Sequence, residues 1–237
     1  MLNLHKNKIT YFGHSTFGLT TPSGQVALID PWVTNPLCPP ELHHVPRLDA
    51  IFLTHGHTDH TGDLLPLAKQ HKPKIVATFE TYLWLESKNT GATCLPGNKG
   101  GTQTVGDFNI TMTNAFHSNS IEDEGQRIYG GEPGGYIIRM PGGLTLYHAG
   151  DTCLFGDMKL IGELYKPDIA CLPIGDIFTM GPREAAYAIR FLGVKDVIPM
   201  HYATFPMLTG TPDALRAETK EIAGLEIHAL NAGESLS

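Results

Sequence analysis

The hydrophobic pattern changes period several times along the chain. Lys8–Phe12, Phe17–Thr21 and Val26–Asp30 are short alternating runs separated by Gly13-His14 and by Pro22-Ser23-Gly24, which predicts an opening β-meander. Asp49–Thr54 is instead a short apolar run, the pattern of a strand buried on both faces. A helix is predicted from Asp59 to about Lys69, with Asp59 placed to cap it. Strand Lys74–Thr78 and helix Phe79–Lys88 follow. The middle is β-rich, with runs at Gln103–Val105, Phe108–Ala115, Gly135–Met140 and Leu144–His148, the last two joined by the hairpin signal Pro141-Gly142-Gly143. Asn119 to Glu132, polar and glycine-containing, reads as a mobile loop. The last third alternates helices Asp157–Tyr165, Pro182–Leu192 and Pro212–Ala223 with strands Asp168–Leu172, Asp196–Pro199 and Glu226–Leu230. No linker or repeat interrupts this series, so residues 1–237 read as one α/β domain of two mixed sheets with helices outside.

Bulk properties narrow the partners. Apolar residues make up 41% and charged residues 17%, a globular balance. The net charge of −7 argues against nucleic acid and anionic membranes. No apolar run approaches the roughly 20 residues that span a bilayer. The polar start lacks the apolar core of a signal peptide, so a cytoplasmic location is expected. The four cysteines form no C-x-x-C pair, which removes zinc-ribbon and dithiol chemistry. Cys153, close behind Asp151, reads as buried and unreactive.

Histidine is the residue that changes the picture. Twelve are present, and His55, His57 and His60, with Asp59, fall within six positions directly after the apolar run at 49–54. Imidazole and carboxylate suit zinc, manganese or iron, and Gly56 would let backbone and metal approach closely. A strand-end histidine alone is more often a satisfied polar residue than a ligand, but four ligand types this dense would be wasted on packing. His117, Asp151 and His201 also each follow an apolar strand, where α/β sheets build their sites. Five histidines and two aspartates could thus converge on two metals.

This order of motifs resembles the metallo-β-lactamase superfamily: H-x-H-x-D-H after a strand, a strand-end His, Gly150-Asp151-Thr152, then a late strand-end His. The resemblance implies a four-layer αββα sandwich of two mixed β-sheets flanked by helices. It also implies two divalent metal ions, with zinc expected first and manganese, iron or nickel as alternatives. His55, His57 and His117 would hold the first ion, Asp59, His60 and His201 the second, and Asp151 would bridge them. Zinc β-lactamases commonly carry Cys where this chain has Asp151, and flavodiiron proteins Glu where it has His57, so neither antibiotic hydrolysis nor di-iron redox chemistry is expected. Tyr11-Phe12-Gly13-His14-Ser15-Thr16-Phe17, Leu28-Ile29-Asp30-Pro31-Trp32 and Pro199-Met200-His201-Tyr202 resemble the ascorbate-6-phosphate lactonase-like (UlaG-like) branch.

The expected function is a metal-dependent hydrolase that turns a metal-bound hydroxide on a small ester, lactone or phosphoester, with Asp59 as the catalytic proton carrier. A phosphodiesterase or nuclease of the same fold is the alternative enzyme, and a metal-bound sensor the non-catalytic one. His14, Asp30, Asp176, Thr179 and Tyr202 are candidates for substrate contact or for supporting the ligands. Asp30 in particular could accept from a ligand histidine, or cap the Asp-Pro turn. His148 is expected to alternate away from the site. Lys99-Gly100-Gly101 reads as a surface turn; Arg127 and Arg183 suit an anion, but spacing does not place them. The expected partner is a small molecule; whether the chain forms a homo-oligomer stays open.

Overall fold

In the computed structural model, which describes residues 2–237, the alternating runs become two seven-stranded sheets. In chain order the elements are β1 (Lys8–Gly13), β2 (Thr16–Thr20), β3 (Val26–Ile29), β4 (Ala50–Phe52), α1 (Thr58–Thr61), α2 (Leu64–His71), β5 (Lys74–Thr78), α3 (Phe79–Ser87), β6 (Thr93–Gly97), β7 (Thr102–Val105) and β8 (Phe108–Asn114). They continue as β9 (Ser120–Asp123), β10 (Gln126–Tyr129), β11 (Gly134–Arg139), β12 (Thr145–His148), α4 (Met158–Tyr165), β13 (Ile169–Pro173), α5 (Pro182–Leu192), β14 (Asp196–Met200), α6 (Pro212–Thr219), β15 (Glu226–Ile227) and β16 (Ser235–Leu236). The first sheet runs β16-β1-β2-β3-β4-β5-β6 and the second β15-β14-β13-β12-β11-β8-β7, with β9 and β10 paired apart from both. Both are mixed: β3 to β6 and β12 to β15 are parallel, the remainder antiparallel.

Alternation assigns the faces. Ala27, Ile29, Ala50, Phe52 and Val76 point from the first sheet into one core with Phe108, Ile110 and Tyr136 of the second. Their neighbours Leu28, Ile51, Ile75 and Ala77 point the other way, against Leu64, Leu67 and Ala68 of α2 and Trp84 and Leu85 of α3. Helices α4, α5 and α6 add Met158, Ile161, Ala185, Ala188, Ile189 and Leu215 to the core of the second sheet. Phe52 sits edge-on to Phe108 at 5.6 Å and 6.1 Å from Tyr136. Tyr136 Oη donates to the Leu53 carbonyl at 2.7 Å, and Gly134 N to that of Thr54 at 3.1 Å. These contacts join the sheets where β4 ends and the histidine-rich segment begins.

The structure departs from the sequence pattern in several places. The predicted helix from 59 to 69 is two pieces, α1 and α2, interrupted at Gly62-Asp63. Asp59 does not cap it: His57 is the cap position, no side chain bonds the cap, and Asp59 lies in the first turn. Residues 119–132 are not a loop but carry the hairpin β9–β10, whose turn places Glu124 at φ 50° and Gly125 at φ 79°. Cys153 is exposed rather than buried. Strands β6 and β16 had no clear pattern, and the predicted strand 226–230 shortens to β15.

Phe52 is fully buried between the sheets. Phe52→Ala should therefore cost about 3–5 kcal/mol of unfolding free energy, read as a lower urea midpoint at unchanged slope. A loss below about 1 kcal/mol would mean that the sheets do not depend on this contact.

Candidate metal centre

The candidate ligands leave the two sheets at one edge. Strands β3 and β4 are parallel, and β8 and β12 share a direction because both are antiparallel to β11, while β14 joins them through β13. Their C-terminal ends carry Asp30, His55, His117, Asp151 and His201. Donor atoms of His55, His57 and His117 lie within 4.8 Å of one another, and so do those of His14, Asp59, His60 and His201. Asp151 stands between the sets. Its Oδ2 is 4.0 Å from His55 Nε2, 3.6 Å from His117 Nε2, 3.3 Å from His60 Nε2 and 3.0 Å from His201 Nε2. The seven residues expected to hold metal are thus brought together.

Supporting groups fix which nitrogens face inward. Asp30 is buried and accepts from Thr54 N at 2.8 Å, Thr54 Oγ1 at 2.6 Å and His60 Nδ1 at 2.8 Å. Thr54 has one hydroxyl proton and gives it to Asp30, so at 3.0 Å it accepts from His55 Nδ1. One carboxylate therefore leaves both His55 and His60 with Nε2 free to coordinate. His55 Nε2 lies 3.0 Å from His57 Nδ1, so these two nitrogens point at one place. His14 Nε2 donates to Asp59 Oδ2 at 3.0 Å, and its Nδ1 then accepts from Thr204 Oγ1 at 2.8 Å.

The donor set fits a cation. Of ten buried side-chain polar atoms without a partner among the described residues, four are here: His60 Nε2, Asp151 Oδ1 and both ring nitrogens of His201. Buried polar atoms are rarely left unpaired, and two of these, His60 Nε2 and His201 Nε2, turn to the same Asp151 Oδ2 at 3.3 and 3.0 Å. Burial opposes charge on Asp151, but His201 and His60 outweigh it and hold its carboxyl far below the usual range. Burial likewise opposes charge on Asp59 and is outweighed by His60 and by the hydrogen bond from His14. Burial pushes His55, His57 and His117 down, towards the neutral form that binds metal. Burial also works against a proton on His60, but Asp151, Asp30 and Asp59 raise it, so a metal there must displace that proton.

Other candidates land differently. Asp176 is exposed and accepts from Ile177 N, and Thr179 Oγ1 turns to the Met180 carbonyl at 3.5 Å; neither lines the cavity over the site, which Phe178 of the same loop does. Tyr202 packs half-buried against the core and does not line it either. His148 turns away as expected, its Nε2 3.2 Å from the Ser15 carbonyl. Gly56 serves a different approach from the expected one: a Cβ there would meet Ile121 at 2.5 Å and Asn119 at 3.1 Å, so it admits the hairpin. Thr54, Thr204 and Asn119 were missed. Their hydroxyl and amide groups carry no pattern in sequence, although Thr54 stands next to His55.

A family model described as the Beta-lactamase superfamily domain matches residues 26–202. A UPF0173 metal-dependent hydrolase of Rubrobacter xylanophilus is 52% identical over 232 residues, 97% of this chain and 96% of its own length. One from Koribacter versatilis is 48% identical over 237 residues and covers 100% of both. The chain belongs to the UPF0173 family of metal-dependent hydrolases, within the β-lactamase superfamily. Among solved structures, Igni18, a metallo hydrolase of the archaeon Ignicoccus hospitalis, is similar to this UPF0173 protein at TM-score 0.86 and 35% identity over 97% of each chain. The metallo-β-lactamase fold protein YhfI of Bacillus subtilis shares the fold at TM-score 0.75 and 20% identity, covering 98% of this chain and 99% of its own.

Two measurements test this UPF0173 site. Asp30→Asn should weaken zinc binding about 10- to 100-fold in competition with a chromophoric chelator; unchanged affinity would show that the ligands need no carboxylate behind them. Burial, with the charges of His201 and His60, lowers His14 to about 4 despite its bond to Asp59. In the metal-free protein its ring should therefore titrate near pH 4 by ¹⁵N NMR. Its share of stability should be complete above 6.5 and lost as pH falls towards 4, because the unfolded chain takes up that proton first. Titration near 6.5 would place His14 in water.

Proposed function

We propose that this UPF0173 protein hydrolyses a small ester, lactone or phosphoester with two divalent ions, zinc before manganese, iron or nickel. The observation that carries this reading is the single oxygen Asp151 Oδ2 within 4.0 Å of imidazoles from both ligand sets. His55, His57 and His117 would hold one ion, Asp59, His60 and His201 the other, and Asp151 both. When bound, such ions polarise the substrate oxygen and bring the pKa of water to about 7, making it a nucleophile at neutral pH.

The chain's own groups do the rest. Asp59 lines a cavity of about 560 Å³ above the site, and its carboxylate is held ionised. In this reading it takes a proton from the attacking water and passes it to the leaving group. His14 supports it: the bond from Nε2, backed by Thr204, restricts the rotation of Asp59. Asp30 holds the tautomers of His55 and His60 throughout. Among the described residues no helix is long and apolar enough to cross a membrane, and four free cysteines suit the reducing cytoplasm, where we place the enzyme.

The test combines metal content with turnover on a carboxylic ester, a lactone and bis-p-nitrophenyl phosphate. Purified protein should hold two ions per chain and lose activity to a chelator, and Asp151→Ala should retain at most one. Asp59→Asn, assayed at a metal concentration that fills both positions, should lower kcat about 100-fold or more. Strong preference for the diester would favour a phosphodiesterase, and no turnover with both ions bound would leave a sensor.

A further inference from the structure

We propose that Arg127 makes this enzyme select substrates bearing a carboxylate or phosphate group remote from the bond that is cut. The inference rests on the hydrolytic reading of the cavity and adds a substrate class to it. One wall of the cavity is the ligand set; Ser118, Ser120, Glu122, Arg127 and Phe178 contribute to the rest. Among the described residues, Arg127 is the one lysine or arginine that lines it. It lies on β10, all of whose residues are exposed, so its position serves no core.

Its guanidinium is uncommitted. Register sets Arg127 directly opposite Glu122 on β9, yet among the described residues no carboxylate stands within ion-pairing distance of it. A guanidinium offers five donors in a planar fork that fits the two oxygens of a carboxylate or phosphate. Glu122 shares the cavity and repels an anion placed on its own side, which confines the anion to the Arg127 side. Phe178, largely exposed, offers an apolar surface to the body of the substrate.

The hairpin that carries Arg127 is held in place. Asn119 accepts from Gly56 N at 2.7 Å and donates to the Gly130 carbonyl at 2.7 Å. The same carbonyl accepts from Thr78 and Thr81, and Lys88 of the segment after α3 pairs with Asp123. These ties fix both ends of the hairpin relative to the ligand segment, so little ordering is needed when an anion binds.

The experiment measures binding to the metal-loaded protein by calorimetry, with butyrate, glutarate and 4-phosphonobutyrate as probes. All three offer one carboxylate to the ions, and the last two add a second anion. Wild type should bind at least one of those two about 10-fold or more tightly than butyrate, as expected for charge-assisted hydrogen bonds. In Arg127→Gln that ratio should fall towards 1 while butyrate affinity is kept. The arm that collapses identifies the anion. Glu122→Gln should keep or enlarge the ratio. An unchanged ratio in Arg127→Gln overturns the proposal. So does an equal collapse in Glu122→Gln, which would mean that the hairpin rather than the guanidinium is being read. Discrimination without turnover of any ester would sink the proposed reaction and leave this inference standing; ester turnover with an unchanged ratio would do the reverse.

Discussion

One carboxylate oxygen sets the terms for the rest of the molecule. Asp151 Oδ2 stands within 4.0 Å of four imidazole nitrogens, and Asp151 is 2% exposed. Such a cluster is costly to bury in the absence of a cation, because its polar atoms give up water and find few partners. The fold meets this demand through direction. Only strands that run the same way deliver their ends to one edge, and β4, β8, β12 and β14 do so from two different sheets. The core between the sheets, with Phe52 against Phe108 and Tyr136, holds those edges in register.

The backbone at the site carries strain that these contacts hold. His14, Asp30 and His201 have φ of 53°, 49° and 54°, a left-handed conformation that L-residues with side chains seldom adopt. None of the three stands alone. His201 N donates to the His14 carbonyl at 2.7 Å, and Asp30 N to that of Phe52 at 3.2 Å. Each turn lets a residue at a strand end swing its side chain inward instead of continuing the pleat. The opening meander is therefore part of the site: it supplies His14 to Asp59 and Asp30 to His60.

What could be read from sequence was what is local. The six-residue cluster after an apolar strand announces metal chemistry, because four ligand types so close have no packing use. Asp30 was a candidate for accepting from a ligand histidine, since it ends a strand, but only the folded chain shows that Thr54 extends its reach to His55. Asp59 was misread as a cap because the rule for caps sees a carboxylate before a helix and cannot see His14, forty-five positions earlier, drawing that carboxylate away. The hairpin at 120–129 escaped because β10 is exposed on all its residues and so has no hydrophobic period. Its Glu124-Gly125 turn was the available signal. Asp176 and Thr179 show the opposite error: chemistry-bearing residues at a strand end whose side chains bond within their own loop.

The division of labour between strand ends and hairpin has a consequence for specificity. Every proposed ligand faces the centre, so the ligand set by itself treats one ester much like another. Selection must then come from groups that line the cavity without belonging to that set, and several of these sit on or beside β9–β10. Exposed strand residues change at little cost to stability, whereas Gly56 has no room for a Cβ and Asn119 is tied by hydrogen bonds to Gly56 and Gly130. A chain built this way can exchange the residues that meet the substrate while its ligands, tautomers and strained turns stay fixed. That makes the hairpin, more than the histidines, the place where members of a family with one centre would come to differ in what they cut.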